Sequence, residues 1–121
     1  FKDITPEFDY YSPVIVSNTD WLNDNADTAK AFLRATKKGY EYAIEDPETA
    51  AEILVNEVPE LSIDLVKESQ EWLSPQYKAE VEQWGYIDQE RWDAFYKWLY
   101  DNGLSEEIPE GYGFTNEYLP E

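Results

Sequence analysis

Residues 7–16 read EFDYYSPVIV, and they contain the feature that decides the fold, a short β-branched run behind an acidic and aromatic segment. Val14, Ile15 and Val16 form the best strand in the sequence, since β-branched residues favour extended backbone. We find no second convincing strand. A single strand cannot satisfy its own backbone hydrogen bonds. The sequence therefore predicts that this strand pairs with neighbours that the chain does not encode.

The rest of the chain favours helices. Apolar residues at three- and four-residue spacing predict helices at 20–25, 26–45, 47–57, 63–73 and 89–101. Capping residues precede the last three of these, namely Asp46 with Pro47, Ser62 and Asp88. Gly39 lies inside the second helix, where glycine costs about 1 kcal/mol relative to alanine, so we expect it to allow close approach of another element. The predicted fold class is mainly α, with one N-terminal strand followed by about five helices.

The composition indicates one acidic, folded domain. The chain has 121 residues, which fits a single domain, and its 5 Trp, 10 Tyr and 5 Phe argue against disorder. Nine basic residues oppose 27 acidic ones, for a net charge of −18. Such a field repels phosphate backbones and anionic lipids, so nucleic acid is not an expected partner. No apolar run approaches the roughly 18 residues of a membrane-spanning helix.

The sequence contains neither cysteine nor histidine, which excludes disulfides, zinc–thiolate sites and histidine-based catalysis. The segment DWLNDNAD at 20–27 has acids but lacks the glycine that a calcium loop needs. Acid pairs such as Glu106-Glu107 are expected by chance in so acidic a chain, and a carboxylate hydrolase has no positive signal. We therefore predict no metal, no cofactor and no enzymatic activity.

The opening segment is the candidate binding site. Tyr10 and Tyr11 offer ring faces for stacking, while Glu7 and Asp9 offer carboxylates that accept hydrogen bonds from amino groups. Together they suit a flat, nitrogen-rich ligand. The alternative is a tyrosine-rich connector whose rings pack against helices, because aromatic residues are more often core than site. The residues alone leave both interpretations open.

Two other aromatic groups are predicted to serve packing. Trp92, Phe95, Tyr96 and Leu99 form a stripe along one face of the last helix. The motif Trp84-Gly85-Tyr86 lies in a segment without clear helical pattern, where glycine can leave a ring face open, but packing is the favoured interpretation. Neither group is expected to bind a ligand.

Four segments carry a family resemblance: DYYSPVIVSN, DTAKAFLRATKKGYEYAIEDPETAAEIL, RWDAFYKWLYDNGL and FTNEYLP. They resemble the C-terminal part of periplasmic-type solute-binding proteins of ABC importers. The narrowest likeness is to the group that binds pyrimidine precursors of thiamine, and the wider superfamily includes nitrate, sulfonate and taurine binders. The resemblance covers nearly the whole chain.

The resemblance implies a type II periplasmic-binding-protein α/β fold, with two lobes that close on a ligand between them. It assigns residues 1–18 to a hinge or crossover strand and 19–121 to the helical part of lobe 1. It also implies that Glu7, Tyr10 and Tyr11 hold an aminopyrimidine by stacking and hydrogen bonding, with Asp9 as a substitute for Glu7. A fragment with one wall of the cleft is expected to bind weakly or not at all when alone.

The resemblance further implies a membrane permease as partner and an extracytoplasmic location, in the periplasm or as a lipoprotein anchored on the outer face of a Gram-positive membrane. Fungal pyrimidine synthases of the family consume their own histidine and use cysteine-rich and iron chemistry, and this chain has neither residue. The unpaired strand at Val14–Val16 invites a homodimer. The alternative function is an acidic helical interaction domain whose aromatic stripe docks a partner helix or peptide.

Overall fold

The computed structural model describes residues 6–120, except for the side chain of Glu7. Within this range the chain forms five α-helices, which are α1 (Thr19–Asp24), α2 (Ala26–Glu45), α3 (Pro47–Glu57), α4 (Ile63–Leu73) and α5 (Gln89–Asp101). Short 3₁₀ helices occupy Pro6–Phe8 and Ser74–Gln76. The prediction of a mainly α chain with about five helices is confirmed.

Local capping explains where three of the helices begin. The carboxylate of Asp46 accepts a hydrogen bond from the backbone N–H of Thr49 at 3.0 Å, and Pro47 is the first residue of α3. Ser62 and Asp88 cap α4 and α5 in the same way. These caps satisfy backbone donors that a helix leaves unpaired in its first turn. The sequence therefore located these boundaries correctly.

The predicted strand at Val14–Val16 is not formed within residues 6–120. These three side chains are 43%, 56% and 84% exposed, and no described segment forms a ladder with them. A strand is defined by hydrogen bonds to a neighbour, so an extended apolar run without one stays irregular. The β propensity of these three residues is high, but the described chain does not supply a neighbouring strand.

The structure divides into two compact units, the first of which contains the described residues 6–24 and 86–117. In this unit Phe8 packs edge-on against Trp98 of α5, with ring centroids 5.2 Å apart. The segment after α5 returns along the helix, since Trp92 packs on Phe114 and donates its indole N–H to the carbonyl of Tyr112 at 3.0 Å. Helix α5 is thus the centre of this unit.

The second unit contains residues 25–85 and 118–120, and its core lies among α2, α3 and α4. Ala29 and Ala51 are buried there, and Trp84 is buried against Tyr40 with ring centroids 5.2 Å apart. The predicted packing role of Trp84 is therefore confirmed. Lys67 of α4 contacts Glu48 and Glu52 of α3 at 2.7 and 2.9 Å, which ties the two helices together on their exposed side.

The expectation for Gly39 was wrong. A Cβ atom added at Gly39 would meet no atom within 4 Å, so no described element approaches this face of α2. The glycine is exposed and lies within a continuous helix. None of the helices in the described range is long and apolar enough to cross a membrane.

Candidate functional site

Asp9, Tyr10 and Tyr11, three of the predicted site residues, lie beside α5 in the first unit. The 3₁₀ helix Pro6–Phe8 ends where the backbone N–H of Asp9 donates to the carbonyl of Pro6 at 3.0 Å. From there the chain runs through Tyr10 and Tyr11, both of which meet side chains of α5. The candidate site is therefore built from one irregular segment and one helix face.

Arg91 joins the segment to the helix through Asp9. Its Nη2 lies 2.7 Å from the Asp9 carboxylate, and its Nε donates to the Asp9 backbone carbonyl at 3.1 Å. The two side chains are 36% and 40% exposed, so water partly screens the ion pair. The paired contacts nevertheless hold the planar guanidinium in one orientation.

The same guanidinium covers the ring of Tyr11. Its central carbon lies 4.2 Å from the ring centroid, which is a cation–π contact. The hydroxyl of Tyr11 accepts a hydrogen bond from the backbone N–H of Asp88 at 2.9 Å, at the start of α5. Both the ring face and the phenol oxygen of Tyr11 are thus engaged by the helix.

Tyr10 stacks on helix α5 and remains partly exposed. Its ring stacks on Phe95 with centroids 4.6 Å apart and an interplanar angle of 22°. The residue is still 44% exposed, so part of the ring remains open to solvent. The stack on Phe95 fixes the orientation of the Tyr10 ring. A ring in a fixed orientation is a suitable surface on which a second ring can stack.

A small open hollow lies between these groups, lined by Tyr10, Tyr11, Arg91, Trp92, Phe95 and Tyr96. Its volume is about 30 Å³, which is enough for only a few water molecules. Pockets that enclose small molecules have roughly 300 Å³ or more. In this arrangement the hollow offers a contact surface and does not enclose a ring.

Three of the four predicted site residues come together here. Asp9, Tyr10 and Tyr11 are adjacent to α5, whereas the side chain of Glu7 lies outside the described part of the structure. The two interpretations of the segment are not exclusive, since its rings pack against a helix and also border the hollow. No group of three acidic, histidine or cysteine side chains with metal-binding geometry occurs among the described residues.

The sequence did not identify Arg91 as a candidate site residue, and it predicted only a packing role for Phe95. A local signal existed, because capping by Asp88 places residue 91 one turn into α5, and residues 91 and 95 then share a face. The aromatic stripe does pack as predicted: Trp92 contacts Tyr96 and Phe114, and Phe95 contacts Tyr96. What the pattern lacked was any indication that this face meets residues 9–11.

Comparison with known proteins places this site in a family context. Residues 1–50 match the family model described as NMT1/THI5 like. The chain is 30% identical over 98 residues to the formylaminopyrimidine-binding protein of Halalkalibacterium halodurans. The chain is similar to NMT1/THI5-like proteins. The resemblance inferred from the sequence is thus confirmed, and the named relative is a binding protein.

The extent of these matches bears on the site. The family match contains Asp9, Tyr10 and Tyr11, while Arg91 lies beyond it. The alignment with the relative covers 78% of this chain but only 29% of the relative. The chain therefore spans less than a third of the length of that binding protein.

Proposed function

We propose that this protein is part of the substrate-binding component of an ABC importer and captures a small heterocycle, a thiamine pyrimidine precursor being the favoured ligand. The observation that carries the proposal is the 30% identity to a protein whose name states that it binds formylaminopyrimidine. The family-matched residues Tyr10 and Tyr11 also border the hollow described above. The role is capture of a solute and involves no chemical step.

The residues of the site have distinct parts in this proposal. The exposed area of Tyr10, held in place by Phe95, stacks on the pyrimidine ring. The carboxylate of Asp9 accepts a hydrogen bond from the exocyclic amino group. Tyr11 supplies a second aromatic surface, and we retain Glu7 as a further carboxylate of the site. The negative charge of the protein, −18, favours amino-bearing ligands over the anions that sulfonate and nitrate binders take.

The same proposal assigns residues 1–18 to the hinge or crossover and 19–121 to the helical part of lobe 1. The exposed apolar run at Val14–Val16 supports it, because such a run is suited to pairing with a sheet. A volume of about 30 Å³ also fits the expectation that this chain alone binds weakly, since a ligand normally becomes enclosed on most sides. A homodimer through Val14–Val16 is the alternative way to pair this segment.

The partners follow from the importer role. A permease in the membrane would receive the ligand, and the binding component would be extracytoplasmic, in the periplasm or attached by a lipid anchor as a lipoprotein. The family match supports this location. The alternative of an acidic helical domain that docks a partner through the α5 stripe is less favoured, because Trp92 and Phe95 already contact Phe114 and Tyr10.

A segment exchange tests the proposal. The whole 121-residue chain replaces the segment of the Halalkalibacterium halodurans protein to which it aligns, and binding of formylaminopyrimidine is measured by titration calorimetry. We expect the chimera to bind, and the present chain alone to give no heat. Tyr11→Ala in the chimera should weaken binding roughly tenfold or more, the value of one lost ring stack.

Tyr112→Ala is the matched control, because the Tyr112 side chain is 66% exposed and does not line the hollow. It should bind like the unmodified chimera. A folded chimera without affinity for formylaminopyrimidine would refute the proposal, and so would equal losses in the two tyrosine variants.

A further inference from the structure

We propose that Arg91 occupies the ligand's place and selects the ligand class, so that entry of a ligand requires displacement of its guanidinium. The inference rests on the proposed function, and it concerns a residue outside the family-matched segment. It predicts which solutes compete successfully for the site and which do not.

The first step is the chemical likeness between Arg91 and the expected ligand. A guanidinium is planar, rich in nitrogen and carries N–H donors in its plane. An aminopyrimidine is also planar and rich in nitrogen, and it carries an amino group at its edge. The two groups therefore make the same kinds of contact, which are a stack on an aromatic ring and N–H donation to a carboxylate.

The second step is the position of those contacts. The guanidinium lies over the ring of Tyr11 at 4.2 Å and donates to the Asp9 carboxylate at 2.7 Å. Asp9 and Tyr11 are two of the residues that the sequence assigns to the ligand. A ligand that uses this carboxylate oxygen and this ring face must therefore move Arg91, and the hollow beside it, of about 30 Å³, has no room for both.

The third step is the strength of the arrangement. All the groups are partly exposed: Arg91 and Asp9 are 36% and 40% accessible, so the ion pair is screened by water. A partly exposed cation–π contact is likewise modest. Arg91 is thus held firmly enough to exclude solutes that make only one of the two contacts, and loosely enough to yield to a ligand that makes both.

The ligand class follows from this competition. A successful ligand is planar and aromatic and carries an amino group at its edge, as aminopyrimidines do. A pyrimidine without an amino group cannot replace the bond to Asp9, and a sulfonate is repelled by that carboxylate. The site therefore discriminates within the wider superfamily.

The test uses the 121-residue chain and nuclear magnetic resonance, which detects millimolar binding. The probe is 4-aminopyrimidine, and unsubstituted pyrimidine and taurine serve as ligand controls. We expect weak binding of 4-aminopyrimidine to the unmodified chain, together with loss of the hydrogen-bonded Nε–H signal of Arg91. Neither control ligand should change that signal.

Arg91→Ala frees Asp9 and Tyr11, so we expect it to bind 4-aminopyrimidine about tenfold more tightly, which corresponds to about 1.4 kcal/mol. Arg91→Lys keeps the charge but lacks the planar fork, so it should also bind more tightly than the unmodified chain. This variant provides the test if the alanine variant does not fold. Arg34→Ala is the matched control, since Arg34 is the other arginine of the chain and lies exposed on α2 in the second unit. It should bind like the unmodified chain.

The outcomes separate this inference from the proposed function. Equal or weaker binding by folded Arg91 variants overturns the inference, and the function stands if the chimera binds formylaminopyrimidine. Absence of binding in every variant of the chain and also in the chimera overturns both. Tighter binding by Arg34→Ala would mean that net charge, and not displacement, governs affinity, which also overturns the inference.

Discussion

Asp9 binds Arg91 through two of its oxygens, although the residues are 82 positions apart in sequence: the carboxylate lies 2.7 Å from Nη2, and the backbone carbonyl accepts from Nε at 3.1 Å. The backbone contact does not depend on the identity of residue 9. The segment 9–11 is therefore held to α5 by more than one ion pair, and the rings of Tyr10 and Tyr11 lie where this attachment places them.

Asp9→Ala should lower the free energy of unfolding by about 1 kcal/mol or less, because partly exposed ion pairs contribute little. The Arg91 Nε–H should remain protected, since the carbonyl of residue 9 still accepts its hydrogen bond. Urea denaturation and arginine side-chain exchange measure the two effects. Asp101→Ala, which breaks the exposed pair with Lys97, is the control and should cost no more. A loss of Nε–H protection in Asp9→Ala would contradict the structure.

Ser74 is a buried, hydrogen-bonded polar residue of the second unit. It is 5% exposed, and its hydroxyl contacts the carbonyls of Ala43 and Gln70 at 3.0 and 2.7 Å. Ser74→Ala removes these two contacts and also the hydrogen bond that Gln70 Nε2 donates to the hydroxyl, and it should cost about 1 kcal/mol in the free energy of unfolding. Ser69→Ala changes an exposed serine of α4 and should cost less than about 0.5 kcal/mol. Equal costs in urea denaturation would show that the Ser74 network is not formed.

Asp46 makes the start of α3 sensitive to acid. The backbone N–H of Thr49 donates to its carboxylate and lowers the pKa of Asp46 below its ordinary value of 3.8, with a smaller effect from the Thr49 side chain. A lowered folded-state pKa means that the stabilisation is complete above the unfolded-state value and disappears as the pH falls through the folded-state value. The melting temperature of Asp46→Ala should therefore lie furthest below that of the unmodified protein at neutral pH and approach it in strong acid.

Asp46→Asn is the matched control for this pH effect. Asparagine caps a helix as well as aspartate does but does not titrate. The melting temperature of Asp46→Asn should thus change less between neutral pH and pH values below 3.8 than that of the unmodified protein. Parallel pH profiles for the unmodified, alanine and asparagine proteins would show that the cap does not contribute to the acid response.

The exposed run Val14–Val16 tests the proposed dimer. If two copies pair along this run, sedimentation velocity should show a concentration-dependent dimer, and Val16→Lys should abolish it by placing like charges along the edge. Leu104→Lys introduces the same charge at another exposed apolar residue of the first unit, and it should leave the dimer intact. A monomer at all concentrations would refute this mode of pairing.

The helices were predictable because their determinants are local. Asp46, Ser62 and Asp88 mark their own helix starts, and the apolar spacing marks the faces. The strand predicted at Val14–Val16 is not formed in the described chain, because strand formation depends on a neighbour that propensity cannot supply. The role expected for Gly39 failed for a similar reason, since close packing is a tertiary property.

The candidate site was predictable in part. Residue chemistry identified Asp9, Tyr10 and Tyr11 as a group, and the structure places all three beside α5. The sequence did not indicate a role for Arg91, because its contact is with Asp9, 82 positions away in the chain. A local motif indicates what a side chain is able to bind, whereas its contacts with distant residues depend on the fold.

The most direct test of the account is the location of the bound ligand. Intermolecular nuclear Overhauser effects between 4-aminopyrimidine and the assigned aromatic protons of this chain give that location without substitution. We predict contacts from the pyrimidine ring protons to the rings of Tyr10 and Tyr11. Contacts confined to other aromatic residues, such as Tyr40 and Trp84 of the second unit, would contradict the claim that residues 9–11 form the binding surface.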